Sequence, residues 1–181
     1  IRSAHHPAGR HLLQACDELG MYVMDEAFDC WQMPKSKDDY ASVFDEWWKS
    51  DVTAMVNKDY NHPCVVMYSI GNEISDLATK NGVELAQKIN AYVKNADKTR
   101  FTTVCINGLL LLMNAMELHA QLTGDGKQDG GDVNQQMASM DEAMARINNT
   151  ETMDRAIKGG CDSVDIAGYN YMSGRYLTDS S

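Results

Sequence analysis

Apolar segments of two periods alternate along this chain, and no other feature constrains its fold as tightly. Leu12, Leu13, Cys16 and Leu19 share a helical face, and Gly20 stands where a helix would stop. Met21-Tyr22-Val23-Met24 then reads as a short buried strand ending at Asp25-Glu26. Tyr40, Val43, Phe44, Trp47, Trp48, Val52, Met55 and Val56 mark a second helix, opened by Asp38-Asp39. A strand from Cys64 to Ile70, a helix around Val83 to Val93 and a strand Phe101 to Ile106 follow. Leu109 to Leu122 reads as a largely buried helix, and helical patterns return at Met137 to Ile147 and Thr152 to Ile157. The last strand is expected at Val164 to Tyr169. The stretch "TGDGKQDGGDVNQ", 123 to 135, is Gly- and Asp-rich, but its acidic spacing does not match a calcium loop, and it reads as a surface loop.

Strands alternating with helices, and lacking polar alternation themselves, indicate a parallel sheet covered on both faces. Two architectures satisfy this pattern, an open doubly wound sheet and a (β/α)8 barrel. No Gly-rich phosphate loop follows any strand, which weakens the nucleotide-binding version of the open sheet. Polar residues collect instead after the strands, at Asp25-Glu26, Asn72-Glu73, Asn107 and Asn170. In a barrel these points form one ring at the catalytic face. That count favours the barrel, although periodicity alone does not decide between the two.

Composition narrows the function classes. With 181 residues, 44% of them apolar and 23% charged, the chain reads as a soluble globular domain. A formal charge of −10 argues against a nucleic-acid partner, whose phosphates call for Lys/Arg clusters. No stretch approaches the ~20 apolar residues that span a bilayer, so no membrane partner is expected. The 5 cysteines are scattered and never in a C-x-x-C pair, so they read as reduced core residues and not as a metal cluster. Together with the absence of a charged-then-apolar leader at Ile1-Arg2-Ser3, this favours a cytoplasmic setting.

"IRSAHHPAGRHLLQACDELGMYVMDE" resembles the first signature of glycoside hydrolase family 2, the β-galactosidase and β-glucuronidase family. "DYNHPCVVMYSIGNE" resembles the second, which ends in Asn-Glu, and "ADKTR", "DEWWKSD" and "DIAGYNY" also fit. His6, Tyr60 and Tyr68 depart from the residues usual at those places. The resemblance implies a retaining β-glycosidase on a (β/α)8 TIM barrel, acting on a β-linked carbohydrate, β-galactosidase-like, and oligomeric as a parent enzyme. Glu73 matches the family's acid/base, and Asn72 a residue that hydrogen-bonds the sugar 2-hydroxyl. On its own, Asn-Glu after a strand reads more readily as a helix cap; the full signature favours the catalytic reading.

His5 matches a histidine that helps shape the sugar site. Tyr171 or Tyr169 is expected to touch sugar or nucleophile, Trp31 could supply a stacking face, and Trp47 and Trp48 read as packing. Arg2 is expected to pair inside the barrel with Asp25 or Glu26. No cofactor is implied; some members bind magnesium or sodium near the acid/base, but no ligands for such an ion are identifiable here. The whole chain, 1–181, is expected to be part of one barrel domain, about strands two to six of eight, with a helical and Gly/Asp-rich insertion around 108–160. The family's nucleophile is expected on a later strand, beyond Ser181, which makes the chain a central fragment. Two other readings stay open: a carbohydrate-binding relic without catalysis, and an unrelated doubly wound module.

Overall fold

The computed structural model describes residues 1–114 and 151–176. Five strands form one parallel sheet in chain order: β1 (Arg2–Ser3), β2 (Val23–Glu26), β3 (Val65–Asn72), β4 (Phe101–Ile106) and β5 (Ile166–Tyr169). The crossovers carry α1 (Arg10–Leu19), α2 (Phe44–Asp59), α3 (Lys80–Ala96) and α4 (Glu151–Cys161). A sheet whose neighbours follow the sequence order, each linked by a helix, is part of an α/β barrel; a doubly wound sheet reverses its order partway. Residues 108–114 begin another helix, with the Asn107 side chain capping the Leu110 N–H at 3.2 Å. The remainder of the expected 109–122 helix, the 123–135 loop and the 137–147 helix lie outside the described residues.

The core sits between the outer face of the sheet and the helices. Val23, Tyr68, Ile70, Val104 and Ile106 point outwards from the strands and are fully buried against it. α2 contributes Phe44, Trp48, Val52, Met55 and Val56, a stripe with the spacing of one helical face. Its N-terminus is preceded by a short turn, Tyr40–Ser42, capped by the Asp39 carboxylate on the Ala41 N–H at 3.0 Å. Trp48 belongs to the core, whereas Trp47, one residue earlier, is half exposed. α1 contacts the sheet along a narrower stripe than its apolar pattern suggests. Leu13 and Cys16 are buried, while Leu12 is exposed and Leu19 is 76% exposed.

Val66, which the sequence places in a shielded strand, is 38% exposed. Val23 pairs with Val65 but Met24 pairs with Met67, so Val66 is an extra residue in a bulge. Trp31 is fully buried, and its indole N–H donates to the Ile70 carbonyl at 3.0 Å. It packs near Phe44, so it is a core residue and not a sugar-stacking surface. All five cysteines are free, and four of them are buried.

Two of the three smaller motifs act as staples. In "ADKTR", Arg100 donates to the carbonyls of Val65, at 2.6 Å, and His62, at 2.9 Å, and pairs with Asp97 at 2.5 Å. Burial alone would raise the Asp97 carboxyl, but bonds from Thr99 and Arg100 outweigh it and hold the group down at about 2. In "DIAGYNY", Asp165 accepts from the Thr102 N–H at 3.0 Å and from Lys94 at 2.8 Å, tying β5 to β4 and α3. Among the described residues no helix is long and apolar enough to cross a membrane.

Candidate active site

The strand β3 delivers its last residues to the C-terminal end of the sheet. Ser69 pairs with Thr103 and Asn72 with Cys105, so β3 carries one residue more than β4 over this span. Such an irregularity re-aims the residues that follow it. Gly71 lies within it because a Cβ there would come within 2.6 Å of Ile74 Cγ1. Glu73 follows with φ +48°, in the left-handed region that non-glycine residues seldom adopt. Its N–H donates to the Cys105 carbonyl at 2.7 Å, and the Asn72 N–H to the Phe28 carbonyl at 2.8 Å. The turn is therefore held on both sides, and the Glu73 carboxylate stands past the strand end in a defined place.

Arg2 is the hub around which the strand ends meet. Its guanidinium contacts both oxygens of Glu26 at 3.1 Å, Asn72 Oδ1 at 2.7 Å and Asn170 Oδ1 at 3.3 Å. Of the two carboxylates offered by the sequence, Glu26 is its partner. Asp25 points to the other face of the sheet, where it accepts from Ser3, the Ala8 N–H and Lys58. Glu26 is fully buried yet well served, since Ser69 Oγ donates to it at 2.7 Å and His5 Nδ1 lies 2.8 Å away. Burial first, and then the Glu26 charge, push the neighbouring Cys105 thiol up to about 12. With Nδ1 engaged by Glu26, His5 has Nε2 left for the cavity.

All four residues expected at the site, His5, Asn72, Glu73 and Tyr171, line one cavity of about 280 Å³ together with Arg2, Tyr169 and Asn170. Tyr171 is 77% exposed at its rim, so the aromatic ring forms an open wall. Asn170 is the residue whose importance the sequence understates. Its Nδ2 donates to Asn72 Oδ1 at 2.9 Å and to Glu73 Oε1 at 3.0 Å, joining β5 to the end of β3. Its place directly after a strand was the available signal. Asn107 shares that signal but serves as a helix cap, so a strand-end position alone does not identify site residues.

His6 faces a second, larger cavity of about 420 Å³, lined mainly by apolar groups such as Phe28, Tyr40 and Met55. Behind the sheet, Asp59 is fully buried beside Asp25 and Lys58. Burial, and then the bond with Asp25, push the Asp59 carboxyl up to about 7 despite Lys58. A folded-state value above the unfolded one means that this contribution is complete below the ordinary carboxylate range and is lost as pH rises through about 7. Urea denaturation is expected to show about 2 kcal/mol less stability at pH 8 than at pH 5, and Asp59→Asn is expected to flatten that difference. A wild-type profile without this fall would contradict the assignment.

Donor atoms of Asp17, His62 and Cys64 lie within 4.8 Å of one another, a grouping the scattered cysteine spacing did not anticipate. Asp17 accepts from the Cys64 N–H at 2.8 Å and contacts His62 Nδ1 at 2.6 Å, so its carboxylate already staples α1 to β3. Burial and then Asp17 push the Cys64 thiol up to about 12, away from the thiolate a metal requires. The cavity that Glu73 lines also carries the Arg2 guanidinium, His5 and the Asn170 amide, which donates to Glu73 Oε1. Guanidinium and amide N–H groups of this kind are donors suited to sugar hydroxyls.

Residues 1–155 match the sequence profile described as "Glycosyl hydrolases family 2, TIM barrel domain". The β-galactosidase BoGH2A of Bacteroides ovatus is 36% identical over 138 aligned residues, covering 59% of this chain and 16% of that protein. A crystal structure of a glycosyl hydrolase family 2 member from Bacteroides cellulosilyticus superposes on 99% of this chain and 18% of its own, with a TM-score of 0.71 and 32% identity. A β-glucuronidase from an uncultured Clostridium species covers 59% of this chain and 19% of its own, with a TM-score of 0.51 and 26% identity. The chain thus spans under a fifth of the length of these relatives. Its ordered parallel sheet, its strand-end cavity and its matching sequence agree: the chain belongs to glycosyl hydrolase family 2 and carries part of that family's TIM-barrel domain.

Proposed function

We propose that the protein carrying this chain is a retaining β-glycosidase, most similar in kind to β-galactosidases, in which Glu73 is the acid/base. The observation that carries the reading is the convergence of Glu73, Asn72, Asn170 and His5 on one cavity at the C-terminal end of a parallel sheet. Retaining chemistry needs two carboxylates about 5–5.5 Å apart. Glu73 protonates the departing glycosidic oxygen, so the C–O bond breaks as the nucleophile closes on the anomeric carbon. It then takes a proton from the water that displaces the nucleophile. The Asn72 amide offers a hydrogen bond to the sugar 2-hydroxyl that strengthens as the oxocarbenium-like state forms. His5 Nε2 addresses a further hydroxyl, and Tyr171 forms the outer wall. Glu73 is the one carboxylate among the described residues that line the cavity, so the nucleophile comes from elsewhere in the protein.

The full-length protein is expected to hydrolyse nitrophenyl β-galactoside or β-glucuronide with retention, read by NMR as first formation of the β-anomer. The 181-residue chain alone is expected to be inactive, since protonation without a nucleophile forms no glycosyl-enzyme. Inversion, or hydrolysis by the chain alone that disappears in Glu73→Gln, would overturn the reading.

A further inference from the structure

The loop between β2 and α2 crosses the C-terminal end of β3 and is tied down along its length. The Phe28 carbonyl accepts from the Asn72 N–H, and the Gln32 and Met33 N–H groups donate to the Asp76 carboxylate at 3.1 and 3.2 Å. From this anchored loop two side chains reach the residue before Glu73. Lys35 Nζ donates to the Asn72 carbonyl at 2.9 Å and to Asp29 Oδ1 at 2.8 Å. Asn72 Nδ2 donates to the same Asp29 oxygen at 2.9 Å, which closes a three-membered circuit. Burial acts to raise the Asp29 carboxyl, but the bonds from Lys35 and Asn72 outweigh it and leave the group below its ordinary range.

Two consequences follow for the neighbouring site. The peptide unit between Asn72 and Glu73 is gripped at both ends, its carbonyl by Lys35 and its N–H by the Cys105 carbonyl at 2.7 Å. That grip bears on the residue whose φ of +48° is unfavourable for a side-chain-bearing residue. The circuit also sets the orientation of the Asn72 amide. Its Oδ1 accepts from Arg2 at 2.7 Å and Asn170 at 2.9 Å, so a flipped amide would oppose two donors with its NH2 and the Asp29 carboxylate with its oxygen. One Asn72 N–H is then left for a sugar hydroxyl.

We propose that Lys35 and Asp29 are positioning residues for the acid/base: they hold the strained Asn72–Glu73 peptide, and with it the Glu73 carboxyl, in the geometry that protonates the leaving group. The proposal rests on the assignment of Glu73 as acid/base. Neither residue lines the catalytic cavity, so both act through Asn72 and Glu73.

The test compares, in the full-length protein, an activated dinitrophenyl glycoside with the methyl glycoside of the same sugar. Lys35→Met is expected to lower kcat/KM on the methyl glycoside about tenfold and on the dinitrophenyl glycoside less than about twofold, because kcat/KM reports formation of the glycosyl-enzyme and the activated leaving group needs little protonation in that step. KM for the methyl glycoside stays within about twofold, and Lys35→Arg, which keeps a charged donor, restores most of the lost rate. Asp29→Asn, which removes the charge that holds Lys35, gives the same split, and the double variant is no slower than the slower single one.

Equal losses on both substrates, or no loss, would overturn the proposal. If Lys35→Met does not fold, Lys35→Gln takes its place. Failure of the glycosidase reading itself shows separately, as a wild-type protein without hydrolysis or one indifferent to Glu73→Gln. In that event NMR of the labelled protein tests the clamp alone: faster exchange of the Glu73 amide proton in Lys35→Met supports it, and unchanged exchange overturns it.

Discussion

Glu73→Ala in the full-length protein is expected to slow hydrolysis of β-glycosides with poor leaving groups by about a hundred- to ten-thousand-fold. Activated aryl glycosides, which depart with little help, lose far less in the step that forms the glycosyl-enzyme. Their second step still lacks its base, so the intermediate accumulates. Added azide needs no deprotonation, fits the space vacated by the carboxyl and attacks the glycosyl-enzyme from the face water would use. The product is then a β-glycosyl azide, identified by NMR with and without azide. An α-glycosyl azide would make Glu73 the nucleophile instead, and an unimpaired variant would remove it from the chemistry. Asn170 Nδ2, 3.0 Å from Glu73 Oε1, limits the directions in which the carboxyl can turn, so the vacated space is well defined.

The second large effect is on stability. Arg2→Met removes the only cation seen against Glu26 among the described residues, apart from His5 when protonated. Glu26 is fully buried, and breaking a buried pair by deleting one partner costs about 3–5 kcal/mol, because the remaining charge is left uncompensated. Urea denaturation of the full-length protein should show a loss of that order. Adding Glu26→Gln to Arg2→Met should recover part of it, since a neutral amide costs less to bury than a charge. A single variant with an unchanged midpoint would show that the guanidinium is not what compensates Glu26. Activity should fall in both variants, because Arg2 also holds Asn72 Oδ1 at 2.7 Å.

The alternation of strand and helix, read from segments such as Cys64 to Ile70 and Val83 to Val93, was sufficient for the parallel sheet. Helix and strand periods differ so widely that burial imprints them on the order of residues. The strand Phe101–Ile106 has the bounds expected of it. The candidate residues were named for a different reason, since His5, Asn72 and Glu73 sit in two long motifs in the right order. Sequence alone named them as a set, and the fold places them around one cavity.

Other features depend on which groups approach from distant parts of the chain, and no local pattern records that. Trp31 could have faced a sugar or the core, and its contact with the Ile70 carbonyl, 39 residues away, decided for the core. Asp25 and Glu26 are consecutive and chemically alike, but the strand pleat sends one behind the sheet to Lys58 and the other inside to Arg2. Val66 and the extra residue before Asn72 are set by register between strands, a property of pairs of segments and not of either one. The grip of Lys35 on the Asn72 carbonyl likewise spans 37 residues and uses a backbone atom that every residue possesses. The sequence by itself determined the kind of sheet and the identity of the chemical groups; the tertiary structure alone decided which face each group takes and what holds it, because partners distant in sequence meet only when the chain is packed.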